Sequence, residues 1–188
     1  MSSSKRYGSC RNVWKKKKCI LFSVLIFLIF VLFIKYTIET TTKSFNEQSP
    51  AKCLFCQIAS GNRTPPVLEF ENDEYVIFKD IRPASTHHYL AIPKKHYESL
   101  KVLNKSHVGL VSRMYSGMVD FLGSKGIDTS DAVIGFHIPP FISQHHLHLH
   151  GISPISEMGF WDRINFLTNS FWFKSGKDAI DSLERSEL

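Results

Sequence analysis

The chain has 188 residues, with 23 Lys and Arg against 17 Asp and Glu and a net charge of +6. Eight of the positives (Lys5, Arg6, Arg11, Lys15, Lys16, Lys17, Lys18 and Lys35) fall in residues 1–36 with no acid among them, leaving 15 basic against 17 acidic residues in the remainder. A nucleic-acid footprint needs a basic face, which that remainder lacks, and four cysteines are too few for a disulfide scaffold of this length.

The N-terminus divides by composition. Residues 1–18 are a basic tail. Cys19 to Ile34 is apolar apart from Ser23, without Gly, Pro or charge. With Tyr36 and Trp14 as interfacial anchors, the pattern predicts a membrane-spanning signal anchor over 19–36 and a single-pass membrane protein. The Lys/Arg asymmetry places the N-terminus in the cytoplasm and leaves the side of the following domain to be tested, for which the sequons at Asn62 and Asn104 serve. A cleaved signal peptide is the rival reading, but no small-x-small site follows the run. Cys10 and Cys19 are candidate palmitoylation sites. Residues 37–50 are polar and aperiodic, a linker. A single domain over 51–188 remains.

Cys53-Leu54-Phe55-Cys56 opens that domain on a short helix ending at Gly61. The C-x-x-C pair suits zinc or redox chemistry, or consists of two buried thiols or a disulfide. Zinc needs two more ligands, for which His96 and His146 are candidates. Residues 67–71 alternate, Asn72-Asp73 turns, and Tyr75 to Asp80 runs apolar, so a hairpin is expected. His87 to Pro93 reads as the next strand, which Pro93 ends. Val108, Val111, Met114, Tyr115, Met118 and Leu122 recur at helical spacing and predict a long core helix. Asn104 or Ser106 caps it, and Gly123 and Gly126 close it. Ala132 to Ile138 is a further strand, and Pro139-Pro140-Phe141-Ile142-Ser143 a connection. The aromatic stretch from Phe160 to Phe173 is packing or a dimer surface, and Asp178 to Leu183 a short last helix.

Gln144 to His150 carries the chemistry. In an extended chain His146, His148 and His150 share one face, while Leu147 and Leu149 point into a core. Imidazole serves as nucleophile, acid, base or metal ligand near neutral pH. The strict apolar alternation argues against an adventitious histidine tract.

The run His146-Leu147-His148-Leu149-His150-Gly151-Ile152 resembles the signature of the histidine triad (HIT) family, with Gly151 where an apolar side chain is expected. Phe78-Lys79-Asp80-Ile81-Arg82-Pro83 and His88 to His96 resemble the same family's nucleotide site. Phe136-His137-Ile138-Pro139-Pro140-Phe141, Thr86 to Leu90 and Trp172-Phe173 are similar to its third branch of nucleotide-binding proteins. The resemblance covers roughly residues 52–185.

It implies an α+β fold: about five mostly antiparallel strands with one long helix, in a homodimer. It also implies an adenosine 5′-monophosphoramidase, cleaving a P–N bond through a covalent AMP–histidine. His148 would be the nucleophile, with His150 on phosphate oxygens, His146 orienting the strand, and Ser143 and His88 relaying protons. Asp80 would bind the ribose, and Phe78 and Ile81 the purine, with Ser143, His148 and His150 at the phosphate. No cofactor is required for catalysis, and Cys53, Cys56, His96 and His146 would hold a structural zinc. His137 stands just before a connection that differs from the loop of many HIT proteins. Dinucleoside polyphosphate hydrolysis, or a membrane-tethered nucleotide-binding scaffold with little turnover, are the alternatives. No P-loop or magnesium-binding carboxylate cluster appears, and no nucleic-acid partner is expected.

Overall fold

Period-two runs between residues 68 and 175 pair into a single antiparallel sheet, and the helical-period run packs against one of its faces. The computed structural model of the protein describes residues 26–35, 52–63 and 66–185. The chain divides into two units, Met1–Glu47 and Gln48–Leu188.

In the first unit, residues 26–35 are helical and exposed. Among the described residues no helix is long and apolar enough to cross a membrane. The expected span over 19–36, part of which lies outside the described residues, is therefore not supported, and neither is the single-pass membrane placement drawn from it. The basic tail and the linker also lie outside the described residues.

The second unit begins with helix α1 (Leu54–Ala59), strands β1 (Leu68–Glu71), β2 (Tyr75–Lys79) and β3 (His87–Pro93), and the long helix α2 (Val108–Ser124). Strands β4 (Val133–His137) and β5 (Leu149–Ser153) follow, then helix α3 (Phe160–Asn165), strand β6 (Phe173–Ser175) and helix α4 (Gly176–Arg185). The sheet has six strands in the order β1-β2-β3-β5-β4-β6, every pairing antiparallel. Five strands were expected. The sixth, β6, is three residues long, too short to show alternation, and it starts on Phe173, the last residue of the aromatic stretch read as packing.

Local chemistry explains the element ends. The β1–β2 turn is held by Asn72, whose Oδ1 accepts from Glu74 N–H at 2.9 Å and Tyr75 N–H at 2.8 Å. Asn104 caps the tight turn Lys105–His107, accepting from Ser106 N–H at 3.0 Å, and that turn feeds α2. Gly126 closes α2 in the left-handed region at φ +71°, as Ile127 N–H reaches back to Leu122 O at 3.0 Å.

The sheet has two different faces. On one, Ile77, Tyr89, Ala91, Leu147 and Leu149 pack against Val111, Met114, Met118 and Leu122 of α2 and against Ala179 and Leu183 of α4. On the other, Val76, Phe78, Leu90 and Ile92 meet Phe55, Ile58 and Ala59 of α1. A separate cluster on Val133, Ile152, Met158, Phe166 and Phe173 completes the packing. Gly151 sits under α2: a Cβ there would lie 2.5 Å from Met118 Sδ and 2.8 Å from Met118 Cγ. The residue that departs from the family pattern is the one that lets the long helix lie close to the sheet.

Candidate active site

Alternation holds from Leu147 to His150, although β5 begins only at Leu149 and His146 lies at a bend before it. Leu147 and Leu149 enter the α2 core. His146, His148 and His150 are buried. They have different neighbours.

His148 and His150 line a cavity of about 870 Å³ with Phe55, Phe78, Asp80, Ile81 and Ser143. His148 Nδ1 lies 2.6 Å from the carbonyl oxygen of His146. A carbonyl only accepts, so Nδ1 carries the hydrogen and Nε2 keeps the lone pair. Burial lowers the pKa of His148, against the opposing pull of that carbonyl and of Asp80. A neutral ring with a free lone pair is the form a nucleophile needs.

A hydrogen-bond chain fixes the next two rings. Ala84 N–H donates to His88 Nδ1 at 3.1 Å, so His88 is protonated on Nε2. That Nε2–H faces His150 Nδ1 at 2.9 Å, with Asp80 Oδ2 at 3.5 Å. His150 accepts at Nδ1 and therefore carries its hydrogen on Nε2, a buried atom with no protein partner. An unpaired buried donor beside a lone-pair nitrogen suits an anion bound between them. Burial lowers the pKa of His88, and holds His150 well below the ordinary value with help from His148, His88 and His137. Asp80, His88 and His150 stand close enough to suggest a metal set. They do not fit one: the only lone pair of neutral His88 is spent on Ala84.

His146 turns away from the cavity. Its Nε2 lies 2.9 Å from Pro93 O, so Nε2 donates and Nδ1 carries the lone pair. That Nδ1 is 3.4 Å from Cys53 Sγ, 3.4 Å from Cys56 Sγ and 3.2 Å from His96 Nδ1, with His96 Nδ1 3.2 Å from Cys56 Sγ. Tetrahedral zinc with sulfur at about 2.3 Å and nitrogen at about 2.0 Å spaces its ligands roughly 3.3–3.8 Å apart. The four groups fit a zinc ion, with His146 neutral because burial depresses its pKa to about 4. Without a metal, burial and the neighbouring Cys53 push the Cys56 thiol up to about 12.

The remaining expected residues fall around the cavity. Phe78 is buried at its wall, whereas Ile81 is 83% exposed at its rim. Asp80 is in part a turn residue, since its Oδ1 accepts from Arg82 N–H at 2.8 Å. Ser143 is exposed on the lining. His137 stays outside the lining, its ring centroid 5.1 Å from that of His150, and burial lowers its pKa to about 4.

Sequence reasoning missed the aromatic surround. Phe55 stands edge-on to His146 and His148, at 5.9 and 5.5 Å between centroids. Phe166 meets His88 at 5.4 Å and both His137 and His150 at 5.1 Å. The position of Phe55 inside the C-x-x-C was a usable signal. Nothing in the sequence tied Phe166 to rings as distant along the chain as His88.

A neutral lone-pair histidine, a donor histidine and a carboxylate beside an apolar slot define a histidine-triad type of site. A domain model described as the scavenger mRNA decapping enzyme C-terminal binding region matches residues 52–165. The chain is 42% identical over 142 residues to the Xenopus tropicalis adenosine 5′-monophosphoramidase HINT3, covering 75% of this chain and 93% of that protein. It is 40% identical over 147 residues to the Mus musculus protein of the same name, covering 77% and 88%. Among solved structures, a histidine triad protein from Clostridium difficile superposes with a TM-score of 0.52 at 28% identity, over 56% of this chain and 92% of that one. The chain belongs to the histidine triad family.

Proposed function

We propose that this protein is an adenosine 5′-monophosphoramidase that hydrolyses AMP–amine conjugates to AMP and free amine. Support comes from one juxtaposition: the lone-pair nitrogen of His148 shares a cavity wall with His150, whose Nε2–H has no protein partner. The names of the Xenopus and mouse relatives agree with this activity.

The purine lies between Phe78 and Ile81, and Asp80 Oδ2 accepts from a ribose hydroxyl. His148 Nε2 attacks the α-phosphorus. The P–N bond to the amine breaks as a new P–Nε2 bond forms, and His150 Nε2–H donates to a non-bridging oxygen as charge builds. The Ser143 hydroxyl hands a proton to the departing nitrogen. Water then attacks the same phosphorus and breaks the P–Nε2 bond. It leaves its oxygen on AMP, and its protons replace the one spent on the amine and complete the acid–base balance. His88 holds His150 in the tautomer this requires, through its own bond to Ala84 N–H.

Cys53, Cys56, His96 and His146 would hold zinc as a structural ion. It would tie α1 to the approach of β5 and fix the carbonyl of His146 that orients His148. Domain boundaries at 1–18, 19–36, 37–50 and 51–188, and a homodimer, belong to the same reading. Arg63 and Arg82 on the cavity lining favour dinucleoside polyphosphates as a second substrate class.

The test is AMP release from adenosine 5′-phosphoramidate by the full chain beside His148→Asn. An adenylylated protein trapped in the parent and absent in the variant is the expected result. Nucleotide binding without turnover in the parent would refute the hydrolase and favour a scaffold.

A further inference from the structure

The nucleotide cavity holds charge that cleavage of the P–N bond leaves unused. Apart from the neutral histidines, its lining carries three charged side chains, Arg63, Asp80 and Arg82. Both arginines are exposed, and neither guanidinium forms an ion pair among the described residues. Elsewhere on the domain Lys94 pairs with Glu71, Arg113 with Glu74 and Lys125 with Glu69. The reacting phosphorus is already served by His148, His150 and Ser143, so two cations on this cavity take no part in the chemical step.

Local geometry sets Arg82 beside the ribose carboxylate. Its backbone N–H donates to Asp80 Oδ1 at 2.8 Å, which engages one carboxylate oxygen within the turn. The other oxygen, Oδ2, lies 3.5 Å from His88 Nε2 and is the one left for a sugar hydroxyl. The apolar part of the lining, Phe55, Ile58, Phe78 and Leu90, is a single cluster built on α1, and Arg63 follows α1 on the way to β1. Arg82 therefore borders the ribose, and Arg63 borders the helix that walls the base. Neither belongs to the Ser143–His150 segment that handles the phosphorus and the amine.

We propose that Arg63 and Arg82 form a second phosphate site, and that the preferred nucleotide half carries a phosphate on a ribose hydroxyl in addition to the reacting phosphorus. This rests on the nucleotide placement of the phosphoramidase reading. With Oδ1 engaged, Asp80 receives one of the two neighbouring hydroxyls on Oδ2. The other hydroxyl is the position for the phosphate, within reach of Arg82. A guanidinium presents a planar fork that matches phosphate oxygens. Dinucleotide-binding folds accommodate a ribose phosphate in the same way, with an arginine near the carboxylate that otherwise receives the sugar. A polyphosphate leaving chain is the other source of phosphate for these arginines, and the experiment separates the two.

Dissociation constants of the full chain are measured by calorimetry for AMP, adenosine 2′,5′-bisphosphate, adenosine 3′,5′-bisphosphate and ADP. One of the two bisphosphates should bind about ten-fold tighter than AMP, with ADP within about two-fold of AMP. Raising the salt from about 50 to about 200 mM should shrink that preference, because both arginines are exposed. Arg82→Ala should bring the ratio of the AMP and bisphosphate constants close to one, and Arg63→Ala should reduce it. Each variant's own AMP binding reports that its cavity is intact. Equal binding of AMP and both bisphosphates by the parent overturns the proposal, as does a ratio that survives both substitutions. An advantage for ADP as large as that for the bisphosphates assigns the arginines to the leaving chain and overturns the ribose site. Failure of AMP itself to bind sinks the nucleotide reading, a result distinct from all of these.

Discussion

Gly151→Ala adds one methyl group where the structure leaves no room for it. The new Cβ would lie 2.5 Å from Met118 Sδ and 2.8 Å from its Cγ. Unstrained contacts need about 3.5–4.0 Å, so Met118 must withdraw by roughly 1 Å. Met118 is fully buried between α2 and the sheet and has nowhere to go. Overpacking of this kind costs about 1–3 kcal/mol, or a fall in Tm of roughly 4–12 °C for a domain of this size. Because His150 is the preceding residue, strain on β5 also displaces the donor, and kcat/KM should fall about ten-fold or more. The decisive form is a double-mutant cycle read by urea denaturation. Met118→Ala alone opens a cavity and costs about 2–5 kcal/mol, but it also removes the atoms that the added methyl would strike. The double variant should therefore be about 1–3 kcal/mol more stable than the two single effects predict. Additivity within about 0.5 kcal/mol would refute the close approach of α2 as the reason for glycine.

Three further outcomes follow from the site. Phe166→Ala removes the ring that backs His88, His137 and His150. It should lower kcat about ten-fold with KM little changed, whereas Phe166→Leu should recover part of the loss; an unchanged kcat would argue against the wall. Acid should destabilise the fold through the buried histidines. For a base with a depressed folded pKa, stability is complete above the ordinary 6.5 and drains as pH falls towards the folded value, about 4 for His137, at no more than about 1.4 kcal/mol per pH unit per group. Urea midpoints at about pH 7.5 and about pH 5.5 check the sign, and a flat profile would contradict it. Purified protein should carry zinc at about one per chain by elemental analysis, Cys56→Ser should carry far less, and chelation should lower Tm; metal-free protein with the parent's Tm would dismiss the site.

The parts of this molecule visible in its sequence are those with short periods. Alternation from Leu147 to His150 separated the two histidines that face the cavity from the two leucines that enter the core, because backbone geometry imposes it even before the regular strand begins. The spacing at Val111, Met114, Met118 and Leu122 exposed the buried stripe of α2 for the same reason. The pair Asp80 and His88 was legible through the family resemblance alone. What stayed hidden depends on contacts between distant segments. The role of Phe166 comes from folding its segment over β3, β4 and β5. The division of labour between His146 and its two neighbours became apparent only when Pro93 O and the cysteines had been placed. The predicted membrane span shows the opposite weakness: a sixteen-residue run broken only by Ser23 is a strong local signal, yet no helix among the described residues is long and apolar enough to cross a membrane.

The short strand β6 has a consequence for how the protein is made. It covers the free edge of β4, pairing Gly135, Phe136 and His137 with Ser175, Lys174 and Phe173. In the same step it sets Phe173 beside His137 and His150. A nascent chain emerging from the ribosome therefore displays all three triad histidines some twenty residues before it can finish the pocket around them. During that interval the β4 edge lies open to pairing with other chains, and the imidazoles remain hydrated and free to take up protons. Competence arrives late in synthesis, once the last strand is in place.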